Sequence, residues 1–498
     1  MAERKIAIVG AGTSGLLACK HCMEKGFAPV VLEAQSGIGG VWSKTIESTK
    51  LQTPRAFYQF SDFAWPPSVK DTFPNHKQVL EYLQSYASHF NILPKIKLDT
   101  KVLDVAYSPP SDEDLDAWDL WGGSGEPFSP YSGKWDVTVH DSRDPSAPFE
   151  GPEVFGGMVM HSMDYAAMEN KAASEFSKAK PVAVVGFQKS ALDLAAQVAK
   201  VNGTKYPCTL LFRTVHWTVP DYVMTYTFRC LNRFVELMIH KPNQGFFQWL
   251  SAMLLSPLII SYVSFGYSTV ESFLRFLYPL KKYNTVPSHG FVQQIFSCMS
   301  AVTPPNFYDK VREGSLILKK FHNLSFCKNG LVIDKEEARP LATDIVIFAT
   351  GYKTDEKLKN IFSSVYFRKC IIGSSAPFFR ECIHPRIPNL AILGYADSPA
   401  NLYTTETKSK WLAEFLAGKF RLPSIREMEE DVVRWEKCMK RYSGSSYKRY
   451  CASALLQIHT NDQLCKDIGC DPRRKSWFLA DLFTPYGPTD YKNLAHFI

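Results

Sequence analysis

Residues Lys5 to Glu33 constrain this chain more than any other stretch. Lys5–Val9 is a short apolar run, and Gly10-Ala-Gly12-Thr13-Ser14-Gly15 follows it directly. A helical pattern then runs from about Leu16 to Lys25, and a second apolar run, Phe27–Leu32, ends in Glu33. Strand, tight turn, helix, strand and acid in that order make a dinucleotide-binding unit. Gly10 permits the turn, Gly12 lets backbone approach a pyrophosphate, and Gly15 lets helix and strand pack closely. The N–H groups that open the helix, at Thr13 and Ser14, carry a partial positive charge suited to phosphate. Glu33 is placed to accept ribose hydroxyls.

A second, weaker copy lies further on. Pro181-Val-Ala-Val-Val-Gly186 reads as a buried strand and a turn, with a helix predicted over Ser190–Lys200. Gln188 stands where the second Gly would be, so this loop alone is a weak signal. The next strand, Cys208–Phe212, ends in Arg213-Thr214. A basic residue where a site for the unphosphorylated nucleotide carries an acid suits a 2′-phosphate, so NADPH is preferred over NADH. Lys189 either helps there or is simply solvated. Two such units predict an α/β protein with two Rossmann-like domains.

Composition narrows the class. With 498 residues, 45% of them hydrophobic and 21% charged, the chain can bury two or three cores. The net charge of +8 is spread rather than gathered in runs, which argues against nucleic acid as a partner. The 12 Cys are scattered, suiting a reducing compartment such as the cytoplasm, with no metal-type pair of pairs; Cys19 and Cys22 read as small buried helix residues. Leu51–Pro67 is aromatic and Pro-rich, and reads either as a wall of the ligand cavity or as an ordinary packed loop. A covering helix is predicted over His76–Phe90, and paired strands over Asp99–Ser108 and Lys134–His140. Pro242–Val270 has no charged residue. Pro257 and several Ser argue for broken or interfacial helices there, lining a substrate entrance or lying on a membrane, rather than for a span. Strands are also expected at Ser315–Leu318, Gly330–Ile333, Thr343–Ala349 and Ala391–Tyr395. The segment holding Asn401 and Glu406 is expected to open a helix towards the ligand.

The ordered motifs carry a resemblance. Gly10-x-Gly12-x-x-Gly15, Ser36-Gly-Ile-Gly-Gly40-Val41-Trp42, Phe155-x-Gly157-x-x-x-His161-x-x-x-Tyr165, the Gly186 loop and Ala349-Thr350-Gly351-Tyr352 occur in sequence, with Pro485-Tyr-Gly-Pro488 near the end. Together they resemble the class B flavin-containing monooxygenases. Leu51-Gln-Thr-Pro-Arg55 and Gly186-Phe-Gln-Lys-Ser-Ala-Leu-Asp193 are similar to the plant branch, which includes a defence-related enzyme that N-hydroxylates pipecolate. The resemblance implies FAD at the first site, with Gly40, Val41, Trp42, Thr350 and Gly351 assisting, and NADPH at the second. An FAD domain (1–150) would be interrupted by an NADPH domain (151–340, with an apolar helical insertion at 242–280) and resume over 341–498. One oxygen atom would pass from a flavin hydroperoxide, formed with O₂, to an amine nitrogen or sulfur of a small molecule. Gln52 would stand where many relatives use an Asn beside the flavin, and His161 would bridge the domains or act as a structural hinge.

One departure weakens that expectation. Relatives usually carry an apolar strand and linker after the strand ending near His140. Here Asp141–Phe149 joins almost directly to Glu150–Phe155, about 30 residues short by the usual size of a strand plus linker. A misplaced exon boundary or an alternative transcript is a plainer explanation than a natural redesign of the hinge. Besides a monooxygenase, two readings stay open: a truncated or uncoupled flavoprotein acting as an NADPH oxidase, and a non-catalytic membrane-attached binding protein. The location expected is the cytoplasm, or the cytoplasmic face of the endoplasmic reticulum membrane.

Overall fold

The computed structural model describes residues 5–108, 133–141, 154–334, 340–351, 358–371, 378–395, 398, 400–443 and 456–494, except 169, 238, 243, 297, 298 and 300. The shortened joint expected at 141–154 falls almost wholly outside the described residues.

The chain opens as predicted. Strand β1 (Lys5–Val9) leads through Gly10 into helix α1 (Thr13–Glu24), and β2 (Ala28–Leu32) returns parallel to β1. Helix α2 (His76–His89) begins at a reciprocal Asn75–Gln78 capping box, which satisfies two otherwise unpaired N–H groups. Short strand β3 (Ile96–Lys97) completes a parallel sheet of order β1-β2-β3. Strands β4 (Thr100–Ser108) and β5 (Lys134–Asp141) pair antiparallel.

The second unit follows with β6 (Met158–His161), β7 (Val182–Val185), helix α3 (Lys189–Asn202), β8 (Cys208–Phe212) and β9 (Thr218–Val219). Helix α4 (Phe246–Leu277) then runs unbroken, contrary to the expected broken helices. Pro257 forgoes one backbone bond, but the helix continues on both sides of it. Strands β10 (Ala301–Val302), β11 (Leu316–Lys320), β12 (Leu324–Cys327), β13 (Gly330–Ile333), β14 (Leu341–Ala342) and β15 (Ile345–Phe348) come next. Helices α5 (Asn401–Leu416), α6 (Ile425–Ser443) and α7 (Gln457–Ile468) close the fold.

The large sheet is parallel, in the order β11-β8-β7-β15-β6. Its inner strands are apolar but for Thr209 because both faces are covered: all four residues of β7 and all five of β8 are buried. Strand β15 lies between β7 and β6, so the chain has not left the second unit at residue 341 as expected from sequence. The return comes after Gly351; by Ile361 the backbone accepts a bond from Val105 of β4, and Phe362 is buried against that strand. The expected strand at Ala391–Tyr395 is only an isolated bridge between Ile383 and Ala391.

Two of the five aromatic residues of Leu51–Pro67, Phe60 and Trp65, are core, and Phe57, Tyr58 and Phe63 pack partly buried against it. Phe60 stacks on Tyr86 with centroids 3.7 Å apart, and Trp65 on Tyr82 at 4.0 Å. For these residues the packed-loop reading holds. Helix α5 lies against α1, and a buried carboxylate joins the loop to it: Glu406 accepts from the Ser61 N–H and hydroxyl.

Candidate functional site

The first nucleotide loop is built by close backbone contacts. Gly10 has φ +97°, a conformation costly for residues with a Cβ, and its N–H donates to Leu32 O. A Cβ on Gly15 would lie 1.9 Å from Gly10 O, so only Gly lets α1 approach β1. Gly12 caps α1 in extended backbone and faces Gly40, whose Cα would be 3.6 Å from an added Cβ. Gly39 donates to Ala11 O, seating the turn Gly40-Val41-Trp42 beside the loop. No side chain caps α1, and no acid sits in its first turn. Its free N–H groups, Thr13 and Ser14 included, therefore fit an anionic pyrophosphate.

Around this loop the predicted residues fall as follows. Glu33 is buried at the end of β2, with one oxygen accepting Ala11 N–H at 2.6 Å and the other Gln35 N–H at 2.9 Å. Each oxygen keeps a further lone pair for a ribose hydroxyl. Trp42 Nε1 donates to Tyr58 Oη at 3.0 Å, whereas Val41 is exposed. Burial pushes the Tyr58 phenol up to about 12, with the Trp42 and Thr13 hydrogen bonds opposing. Tyr58 was not singled out from sequence; its only signal was its place in the aromatic loop. Ser14 abuts Gly394, where a Cβ would come within 2.3 Å of its Oγ, so the returning chain closes over the start of α1. Helix α5 opens at Asn401 with no side-chain cap.

The second group gathers at one edge of the large sheet. His161 ends β6, Gly186 follows β7, Arg213 and Thr214 follow β8, and Thr350 and Gly351 follow β15. These are the carboxyl ends of parallel strands, where open α/β sheets bind ligands. Gly186 has φ +140°, and a Cβ there would lie 2.4 Å from Ala349 O. Helix α3 also lacks a side-chain cap and a first-turn acid, so Ser190 and its neighbours fit a second phosphate group. Arg213 is exposed, its guanidinium 5.4 Å from the Phe321 ring centroid. Thr214 is exposed beside it, as are Thr350 and Gly351.

Three predicted residues have specific protein partners. Lys189 Nζ pairs with buried Asp193 at 2.5 Å, so it is neither simply solvated nor aimed free at a ligand. Burial pushes the Asp193 carboxyl up, and Lys189 opposes that shift. His161 Nδ1 accepts Met163 N–H at 3.2 Å, and Nε2 lies 3.1 Å from Gly351 O. The Nε2–H tautomer satisfies both bonds and ties the ends of neighbouring strands β6 and β15 within the large sheet. Gln52 Oε1 accepts the Val302 N–H at 2.8 Å, across the two units. Because an N–H can pair only with the amide oxygen, this bond fixes the flip and turns Nε2 elsewhere.

Some groups in the chain have no part in this chemistry. Cys19 and Cys22 are buried in α1, and burial pushes their thiols up to about 11 and about 12. Among the described residues, no cluster of His, Cys, Asp and Glu could hold a metal, and no helix is long and apolar enough to cross a membrane.

Comparison with known proteins agrees with this geometry. The profile of a family described as "Flavin-binding monooxygenase-like" matches residues 3–256 and 311–488. A probable flavin-containing monooxygenase 1 of Arabidopsis thaliana is 38% identical over 99% of this chain and 97% of its own length. That alignment spans 530 positions, more than this chain has residues, so the relative carries segments with no counterpart here. A putative flavin-containing monooxygenase 2 of the same plant is 34% identical over 94% of this chain and 98% of its own. Among solved structures, an oxidized steroid monooxygenase bound to NADP superposes with a TM-score of 0.64 at 15% identity, covering 94% of this chain and 97% of that one. An S-allyl-L-cysteine S-oxygenase from Allium sativum superposes at 0.53 and 16% identity, covering 94% and 89%. These two likenesses bear on the fold alone.

Proposed function

We infer, for a chain that belongs to the flavin-binding monooxygenase-like family, transfer of one oxygen atom to an amine nitrogen or sulfur of a small molecule. The protein is an FAD- and NADPH-dependent monooxygenase. When bound, FAD reduced by NADPH supplies the O₂ activation; the protein supplies binding, orientation and exclusion of water. The observation that carries the assignment of sites is the pair of uncapped helix N-termini, each behind a Gly turn at the end of a parallel strand. Gly10, Gly12, Gly15 and Glu33 would hold FAD, flanked by Gly40–Trp42. Gly186, Ser190, Arg213 and Thr214 would hold NADPH, with the guanidinium pairing the 2′-phosphate. Lys189 would act through Asp193 at the start of α3 rather than on the ligand. Gln52 would present its Nε2 donors towards the flavin, oriented by Val302.

The choice of an amine or sulfur, with an amino acid such as pipecolate as one candidate, is supported by the family and by the likeness of the Leu51–Arg55 and Gly186–Asp193 segments to the plant branch. Incubating the FAD-loaded protein with NADPH, O₂ and a panel of cyclic amines and thioethers, and weighing the products, tests it. Products heavier by one oxygen, formed in step with NADPH use, are expected. Hydrogen peroxide as the sole product across the panel would refute the assignment and favour an oxidase.

We also propose peripheral membrane attachment. Exposed Phe246 and Met253, and Phe247 and Leu254, recur seven residues apart, which puts each pair on one face of α4.

A further inference from the structure

Segment 42–58 leaves the first nucleotide loop and returns to it. Its base is pinched shut by the Trp42 Nε1–Tyr58 Oη bond, directly after the turn at Gly40 that packs on Gly12. Its middle reaches into the second unit at three points. Ile46 is buried in the same apolar cluster as Leu194 and Val198 of α3. Ser48 donates twice to Gln197 Oε1 of α3, from its hydroxyl at 3.0 Å and its N–H at 3.4 Å. Gln52 takes the Val302 N–H. Leu51, between these contacts, stays in the core of the first unit. The segment thus touches the wall of one nucleotide site with its ends and the helix that opens the other with its middle.

We propose that segment 42–58 couples the two nucleotide sites, with Ser48 and Gln197 as a positioning pair. This rests on FAD lying at the Gly12 loop and NADPH at the Gly186 loop. A nucleotide that steadies the N-terminus of α3 steadies Gln197, about two turns further along that helix, and through Ser48 the loop that carries Gln52 and Tyr58. Gln197 is 8% exposed and Ser48 is exposed, so Ser48→Ala leaves the buried amide oxygen with only the longer Ser48 N–H bond, whereas Gln197→Leu removes both bonds. Coupling of this kind requires a physical element with contacts to both sites, and this segment has them.

The test is a double-mutant cycle on the FAD-loaded protein with Ser48→Ala and Gln197→Leu, plus Ser48→Thr, which keeps the donor hydroxyl. Amide hydrogen exchange is followed over residues 43–58 and 186–191, with and without NADP⁺. In the wild type, NADP⁺ should slow exchange in both segments. In Gln197→Leu and Ser48→Ala it should still slow 186–191, with unchanged affinity, but no longer 43–58. The fraction of NADPH lost as hydrogen peroxide should rise about fivefold, the factor one net hydrogen bond is worth. The double variant should be no worse than either single one, and Ser48→Thr should behave as wild type. Protection of 43–58 that persists in the variants overturns the coupling while leaving the nucleotide assignments in place. Lack of protection at 186–191 in the wild type overturns the NADPH assignment and the coupling with it. If a single variant fails to fold, the remaining single variant and Ser48→Thr still decide: unchanged protection of 43–58 in the former refutes the proposal.

Discussion

Gly12→Ala separates ligand binding from folding, because the protein itself has room for the methyl group. The residue sits at φ −74° and ψ −178°, extended backbone that any residue adopts. An added Cβ would meet Gly40 Cα at 3.6 Å, an ordinary contact. Folding stability should therefore stay level or rise by about 0.4–1 kcal/mol, since Ala has fewer unfolded conformations to lose than Gly. FAD is affected differently. The methyl group stands where backbone must approach pyrophosphate, and forfeiting one charge-assisted N–H contact costs about 1.5–3 kcal/mol, or about 10- to 100-fold in Kd. Gly15→Ala is the contrasting variant. Its Cβ would lie 1.9 Å from Gly10 O, so α1 must move off β1, and overpacking of this kind costs about 1–3 kcal/mol or more. The assay is the flavin-to-protein absorbance ratio after purification, paired with the thermal midpoint of each apoprotein. Gly12→Ala should lose flavin at an unchanged apoprotein midpoint, and Gly15→Ala should lose both. Full flavin content in Gly12→Ala, or loss of flavin only alongside a lowered apoprotein midpoint, would refute the reasoning.

Arg213→Ala should raise KM for NADPH about 10- to 100-fold, the worth of one phosphate-paired guanidinium, and leave NADH use nearly unchanged; equal losses for both would remove the 2′-phosphate assignment. Buried His384 is held neutral, its pKa pushed down to about 4 by burial and by the Arg386 charge, against the backbone bond at Cys370. Its pKa is thus depressed in the fold, and the unfolded chain binds the extra proton. Stability should fall by about 3 kcal/mol as pH drops from about 6.5 to about 4, and a His384→Asn variant should show a shallower decline in thermal midpoint over that window. Phe247→Ser with Leu254→Ser should cut binding to phospholipid vesicles and leave flavin content intact; vesicle binding equal to wild type would discard α4 as the attachment face.

The local grammar of the chain was written in residue order. Gly10, Gly12, Gly15 and Glu33 follow one another in a single strand–turn–helix–strand unit, and each acts on atoms within that unit, so periodicity and Gly spacing suffice to read them. The same holds for Gly186 and Arg213, which follow their own strands. Long-range pairing is another matter. Nothing in Thr343–Ala349 says which sheet it joins; its apolar run fits any covered parallel strand, and only packing placed it between β7 and β6. Of the two readings of the α4 segment the broken one failed, because Pro and Ser lower local helix propensity only weakly and a long segment overrides that preference. Lys189 looked like a phosphate ligand until α3 formed and brought Asp193 one turn away, inside hydrogen-bond reach. Gln52 and Val302 lie 250 residues apart in the chain, and Ser48 and Gln197 lie 149 apart. An amide side chain bonds whichever donor the fold delivers to it, so sequence could name Gln52 as a candidate but not its partner. What sequence determined is the chemistry each loop can hold; the tertiary structure decided which loops touch, because contact between distant segments is set by the packing of whole layers and not by any local pattern.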